Sequence, residues 1–539
     1  MAIIFGTNGD DVRIGTPDDD QIMGLLGNDR LFGLGGRDFL DGGEGNDLLD
    51  GGEGNDELWA LAGNDRVFGG EGDDRIFGNA GNDSLFGGQG ADQVVGGGDH
   101  DRIFGNGGVD RLIGDAEFDM TGGVGGDDRI FGGEGGDSIS GDAGNNMSGG
   151  AVGGDDRIFG GEGDDAINGD ATAWIFDGRG GNDRLNGESG TDSLIGDAGL
   201  LGENAVGGND RLSGGPDNDF ISGDAADLFG IGGNDVIDGD EGNDIAYGDA
   251  FILFEKAVGG HDVMNGGDGD DTLYGDANQM RGVGGDDVIS GGNGVDTLFG
   301  DADFMFDFIF HAAVGGDDRL TGGNDGDLVV GDAHTMTGES VGGDDRIWGD
   351  ETFSGPSGID FLYGDALFMF DNTIGGNDRV EGGAGNDELY GDSGIMAGNS
   401  IGGDDELFGG AGDDFLMGDA ANMDDASVGG NDFLDGGEGN DLLLGDSGSF
   451  SVASKGGDDR IFGGEGDDRL FGGKGDDWLD GGAGVDIAIN HGPVDDFTIE
   501  GGQGGQILVT ENASGDTDTL IDIEFLEFWD LTLDTSLIA

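Results

Sequence analysis

An aspartate returns every ninth residue near the start of the chain: Asp11, Asp20, Asp29, Asp38, Asp47, Asp56, Asp65, Asp74, Asp83, Asp92, Asp101 and Asp110. Counted from Gly6 to Ile113, twelve nonapeptides carry it at their sixth place without an insertion. The fourth place is usually glycine, as in Gly45, Gly54 and Gly63. Glycine admits the positive-φ conformations of a tight turn and lets the backbone approach an ion. A carboxylate beside carbonyl-rich turns is chemistry for a hard cation, and calcium takes about six to eight such oxygens. The chain has no Cys and 5 His, so zinc and copper fit poorly. Magnesium demands stricter octahedral geometry and keeps waters, which a stack of carbonyl-lined turns suits less well.

The same phase continues downstream, mostly as pairs nine apart: Asp128 and Asp137, Asp156 and Asp165, Asp183 and Asp192, Asp210 and Asp219, Asp235 and Asp244, Asp262 and Asp271, Asp287 and Asp296, Asp318 and Asp327, Asp378 and Asp387, Asp405 and Asp414, Asp432 and Asp441. Asp345 and Asp360 form a looser pair, and a last run supplies Asp459, Asp468, Asp477 and Asp486. These forty aspartates are the candidate metal ligands. The whole chain of 539 residues has 117 acidic residues against 21 Lys and Arg, a formal charge of −96. Such self-repulsion opposes any compact state, so the chain either stays unfolded or binds many cations. Forty Ca²⁺ carry +80 and would leave −16 of the −96, an upper bound because edge turns and degenerate units should bind weakly. Nucleic acid is excluded as a partner, since phosphate contacts need a basic surface.

The elements that position these carboxylates are short. The eighth place holds Arg13, then Ile22, Leu31, Leu40, Leu49, Leu58, Val67, Ile76, Leu85, Val94, Ile103 and Leu112. Neighbours along a strand face opposite ways, so the last three places predict a brief strand with its eighth residue inward and its seventh and ninth outward. Arginines at the seventh place (Arg30, Arg66, Arg75, Arg102, Arg111) read as relief of local negative charge. Gly is abundant, 131 residues, and Pro is rare, 4, with no three-residue period, which excludes collagen.

Units such as Gly69-Gly-Glu-Gly-Asp-Asp-Arg-Ile-Phe77 and Gly463-Gly-Glu-Gly-Asp-Asp-Arg-Leu-Phe471 resemble the RTX, or hemolysin-type, calcium-binding nonapeptide-repeat family. The resemblance implies an all-β fold: a right-handed parallel β-roll, a solenoid of Gly/Asp-rich nonapeptides, with two nonapeptides per coil and a C-terminal β cap. It also implies many Ca²⁺ ions between successive turns, held by the sixth-place Asp and main-chain carbonyls.

From Gly114 a longer period begins. Gly-Asp pairs open at 114, 141, 169, 196, 223, 248, 275, 300, 331, 364, 391, 418 and 445, with most gaps 27. Each long repeat holds two good nonapeptides and one divergent segment, such as Gly169–Asp177 or Gly300–Phe308. A large apolar residue follows the Asp of the pair by four places in eleven repeats: Trp174, Leu201, Leu228, Leu253, Met280, Met305, Met336, Met369, Met396, Met423 and Phe450. In the first two it comes one place later, at Met120 and Met147. The fixed phase predicts a stacked core ladder, because a ladder needs register. The competing expectation is an exposed apolar stripe for a partner, which Phe251, Phe254, Phe304, Phe306, Phe308, Phe310, Phe368 and Phe370 keep open. Whether 27 residues make one enlarged coil or one and a half ordinary ones stays open at this point. The expected divisions are an uninterrupted nonapeptide roll over 1–113, a long-period roll over 114–455, a second nonapeptide roll over 456–489 and a cap over 490–539.

Short strands are expected in the cap at Phe497–Ile499, Ile507–Thr510 and Thr519–Trp529. Asp516–Phe528 resembles the segment that caps many RTX rolls, and the family's C-terminal region carries an uncleaved signal for a type I exporter; Leu533–Ala539 is compatible with one. Met1–Gly6 shows no basic segment followed by an apolar one, so no cleaved secretory peptide is expected. No apolar run reaches membrane-spanning length. The five histidines (His100, His261, His311, His334, His491) are scattered and no nucleophile motif occurs, so the chain is not expected to be an enzyme. The expectation is a secreted, extracellular or cell-surface protein that folds on binding calcium and has a structural or surface-matrix role. An adhesin using the Met/Phe-rich loops is the alternative, and a polysaccharide-modifying enzyme, as some RTX relatives are, the second.

Overall fold

The architecture follows from how the period stacks. In the computed structural model, which describes residues 1–306, 312–350 and 358–538, the chain divides into two compact units, Met1–Val263 and Met264–Ala539. Phe308, Phe310 and His311 lie outside the described residues.

The first unit starts as a parallel β-roll with two nonapeptides per coil. Residues eighteen apart are in register, Gln21 with Phe39 on one face and Arg30 with Leu48 on the other. The eighth-place residues from Ile22 to Leu112 point inward and are fully buried. Strands are longer than the sequence predicts. Arg30–Gly35 and Arg66–Glu71 run from the seventh place through the third of the next unit. A second-place residue with positive φ kinks them, usually glycine but also Leu25, Leu34 and Leu61 at 88°, 82° and 79°.

After Ile113 the offset becomes 27: Arg102 pairs with Arg129 and Arg111 with Ser138. Each long repeat is therefore one enlarged coil. It keeps the two faces and adds a third strand as a lobe, at Met120–Thr121, Asn146–Ser148, Ala171–Ile175, Ala198–Leu201, Ala225–Leu228 and Ala250–Leu253. The lobe has its own small core, for example Ala198, Leu201 and Ala205. Trp174 is not the ladder residue of its repeat. Met147 pairs with Ile175, which is fully buried, while Trp174 is 46% exposed. The cause is a bulge between Ala171 and Trp174, which adds one residue to this strand relative to the next.

The second unit repeats this three-stranded coil and absorbs its unequal repeat lengths without losing register. Thr272 pairs with Thr297, Val288 with Arg319 and Arg346 with Arg379. Met280, Met305, Met336, Met369, Met396 and Met423 stack as a fully buried ladder, and Phe450, bridged to Met423, is half-buried. Ninth-place residues on one face point out of the coil but not into water. Tyr390, Met417, Leu444 and Phe471 form a buried cluster covered by Ala421 and Phe450 of the lobes. In the cap, Thr517–Ile521 and Phe525–Glu527 continue the two faces in parallel, against Trp478–Asp480 and Ile487–Ile489. Asp522, with φ 47°, splits what the sequence reads as one strand. Antiparallel strands Phe497–Gly501, Ile507–Glu511 and Thr532–Asp534 then close the end. Among the described residues no helix is long and apolar enough to cross a membrane.

Candidate metal centre

Each unit gathers its sixth-place aspartates into two rows, one at each edge where the chain turns between faces. A single hydrogen bond defines a row: the backbone N–H of one aspartate donates to Oδ1 of the aspartate one coil on. In the first unit one row runs Asp11, Asp29, Asp47, Asp65, Asp83, Asp101, Asp128, Asp156, Asp183, Asp210, Asp235, Asp262. The other runs Asp20, Asp38, Asp56, Asp74, Asp92, Asp110, Asp137, Asp165, Asp192, Asp219, Asp244. In the second unit the rows are Asp287, Asp318, Asp345, Asp378, Asp405, Asp432, Asp459, Asp477 and Asp271, Asp296, Asp327, Asp360, Asp387, Asp414, Asp441, Asp468, Asp486. All forty aspartates fall in these rows, and all but Asp11 are buried.

The second carboxylate oxygen is the telling one. From Asp29 to Asp219, and from Asp296 to Asp486, Oδ2 of each row aspartate is buried and accepts no hydrogen bond. Each faces a cradle lined by carbonyl oxygen. A Cβ built on Gly51 would overlap both Asp56 Oδ2 and the carbonyl of Gly69 in the next coil, and Gly69 stands likewise to Asp74 and Gly87. Glycine at the first place leaves that space open; Ala60, before Asp65, is the exception. Burial pushes Asp47 up to about 6 and Asp56, Asp65 and Asp74 to about 7, with the backbone N–H at Oδ1 opposing it. A buried carboxylate oxygen without a donor is costly. A divalent ion among oxygens removes that cost, so the residues present fit calcium. Among the described residues no three acidic or imidazole side chains converge as a ready-made site. Each row gains one sixth-place carboxylate per coil, so carbonyls must supply most of the ligands.

The ends of the rows differ. Asp11 and Asp20 accept from the backbone and hydroxyl of Thr7 and Thr16, and Arg13 sits 2.8 Å from Asp11. These hydrogen bonds, Thr7's backbone first for Asp11 and Ala2's for Asp20, hold both carboxyls below the ordinary value. At the other end the cap extends both rows: Asp477 N–H donates to Asp518 at 3.3 Å and Asp486 N–H to Glu524 at 2.9 Å. The seventh-place arginines do more than dilute charge. Arg66 lies 4.9 Å over the ring of Phe68, in a stacked column that continues through Phe86, Phe104, Phe131 and Phe159. His100 is a turn residue whose Nδ1 accepts from Asp127 N–H at 2.6 Å.

A second set of carboxylates escaped the sequence reading. The aspartates of the Gly-Asp pairs, Asp142 through Asp446, are fully buried, and Asp115 is partly so. Each turns into the neck of its lobe and accepts from the second glycine of the Gly-Gly that closes it: Gly181 N–H donates to Asp170 at 3.1 Å and Gly343 N–H to Asp332 at 2.8 Å. The signal was visible as an Asp fixed after Gly in thirteen repeats. It was hidden because a second-place Asp in a turn reads as a surface residue.

Comparison with known families gives one finding. A family model described as the RTX calcium-binding nonapeptide repeat matches residues 3–120, 122–172, 175–199, 204–251, 257–304, 374–395, 402–422, 428–449 and 455–488. No curated protein matches the chain.

Proposed function

The chain belongs to the RTX calcium-binding nonapeptide-repeat family, and on that premise we propose that it is exported unfolded and folds outside the cell as its aspartate rows fill with Ca²⁺, to serve as a structural or surface-matrix element. The forty row aspartates are the ligands in this reading, each Oδ2 sharing an ion with carbonyls of the first-place glycines. The observation that carries it is the buried Oδ2 that accepts no hydrogen bond, repeated coil after coil. Sites of this kind exist only once the coils stack, so metal affinity becomes folding free energy. Extracellular calcium modules bind at roughly 10⁻⁴ to 10⁻³ M, and cytosolic calcium is far below that range. An unfolded chain suits a type I exporter, which secretes proteins of this family. We assign the chain no catalytic role.

The buried Met ladder favours a structural role over an adhesin built on those side chains. The adhesin reading keeps the exposed aromatics of the lobes in the first unit, Trp174, Phe176 and Phe251. Circular dichroism at pH 7.5 tests the main proposal: a coil-like spectrum in EGTA and a strand-rich one in millimolar calcium. A strand-rich spectrum in EGTA at that pH would contradict it.

A further inference from the structure

We propose that the lobed coils hold one row of cations with two carboxylates apiece, the Gly-Asp aspartate joining the sixth-place aspartate of the same coil, so that this row is a tighter class of calcium site than the row opposite. The inference rests on the calcium reading above and extends it to residues outside the nonapeptide pattern.

In the short coils the chain runs unbroken from the first-place glycine to the sixth-place aspartate, and the first-place carbonyl of the next coil lines the cradle. In a lobed coil that stretch is cut open. Gly169 precedes the lobe and Asp183 follows it, yet the cradle survives: a Cβ on Gly169 would overlap Asp183 Oδ2 and the Gly196 carbonyl. The lobe, which opens with strand Ala171–Ile175, is inserted after the second place, while the fourth and fifth places stay: Asn182 N–H donates to Asp155 Oδ1 as Asn46 N–H does to Asn28 Oδ1. The Asp170 carboxylate sits where the lobe rejoins the coil, held by the N–H of Gly181 two residues before Asp183.

Three observations place that carboxylate with the ion. Gly208 stands between the two carboxylates of its coil: its N–H donates to Asp197 at 3.1 Å, and a Cβ on it would lie 2.7 Å from Asp210 Oδ1. Next, carboxylates of successive coils meet: a Cβ on Gly180 would run into both Asp197 Oδ1 and Asp170 Oδ2. Finally, in the second unit Oδ2 of Asp332, Asp365, Asp392 and Asp419 is fully buried and accepts no hydrogen bond. Stacked carboxylates with a free oxygen need a positive charge among them. Two per coil match one Ca²⁺ per coil, whereas the opposite row has one. Calcium affinity rises with the number of charged ligands.

The rival arrangement is a proton shared between the two carboxyls, and asparagine separates the two. Asn donates as a protonated acid does but cannot replace a charged ligand. Equilibrium dialysis with ⁴⁵Ca²⁺ on the full chain should resolve two affinity classes. The triple variant D170N/D197N/D224N should move about three ions out of the tight class, weakened by roughly tenfold or more, with an unchanged circular dichroism spectrum at saturating calcium. The matching triple in the opposite row, D165N/D192N/D219N, should deplete the weaker class instead. Should the first triple fail to fold, the single variant Asp197→Asn should still shift about one ion. An unchanged isotherm for the Gly-Asp variants, with the opposite-row triple losing ions, overturns the proposal and leaves the calcium reading standing. No loss from either triple, or no binding by the unaltered chain, overturns both.

Discussion

At the scale of single residues, the site depends on what is missing as much as on what is present. The first-place glycine matters for the space a Cβ would take. Gly69→Ala should obstruct the oxygens of Asp74 and Gly87, lowering bound calcium by about one ion and raising the calcium midpoint of folding. Gly98→Ala is the control, because nothing lies within 4 Å of a Cβ there; mass-spectrometric metal counts on the two variants should differ. Protons are the other test of the row carboxylates. Asp56, Asp65 and Asp74 stand near 7 when folded without metal, against 3.8 ordinarily. Between those values the folded chain holds protons that the unfolded chain has lost. Stability of the metal-free roll is therefore fully present below about 4 and is lost as pH rises through about 7. Metal-free chain should gain strand signal on going from pH 8 to pH 5.5, above the isoelectric point of 4.1. An identical coil-like spectrum at both would show that burying these carboxylates is not what opposes folding.

At the scale of elements, the lobe is the new part, and its ladder sets its register. Ile175 is fully buried and Trp174 is 46% exposed. Ile175→Ala should cost about 2 to 5 kcal/mol, whereas Trp174→Ala should stay within roughly 0.5 kcal/mol. Thermal melts in saturating calcium measure both, and a larger loss at Trp174 would contradict the register. The rows themselves were legible because a nine-residue period needs no knowledge of topology. Asp47 and Asp56 announce themselves by spacing, and Leu49 and Leu58 by alternation. The bulge after Ala171 was not legible, since one extra residue in a strand changes which side chain points inward without changing composition. Nor was the role of Asp170: spacing locates an aspartate in a turn, but only the closed neck of the lobe turns it inward against Gly181. The burial of Tyr390 and Phe471 was missed for a related reason, because alternation shows which side of a strand a residue takes and not what covers that side.

At the scale of the whole molecule, a formal charge of −96 could be relieved by any salt, so the decisive question is whether screening alone permits folding. It should not. In 1 M KCl the screening length falls to about 3 Å, which removes repulsion between exposed carboxylates such as those at the turn tips. The row oxygens are inside, where ions of the solution do not screen, and from Asp29 to Asp219 and from Asp296 to Asp486 Oδ2 accepts no hydrogen bond. Magnesium meets a different obstacle. It holds its waters in near-octahedral geometry, and cradles that a single Cβ would overfill leave those waters no room. The metal-free chain in EGTA should therefore scatter X-rays as an expanded coil, with a radius of gyration of about 90 Å for its length. It should stay expanded in 1 M KCl or millimolar magnesium and contract only on adding calcium. Contraction in KCl alone would mean that the charge is merely screened and that the rows need no occupant. Contraction in magnesium would mean that the cradles are wider than the first-place glycines make them.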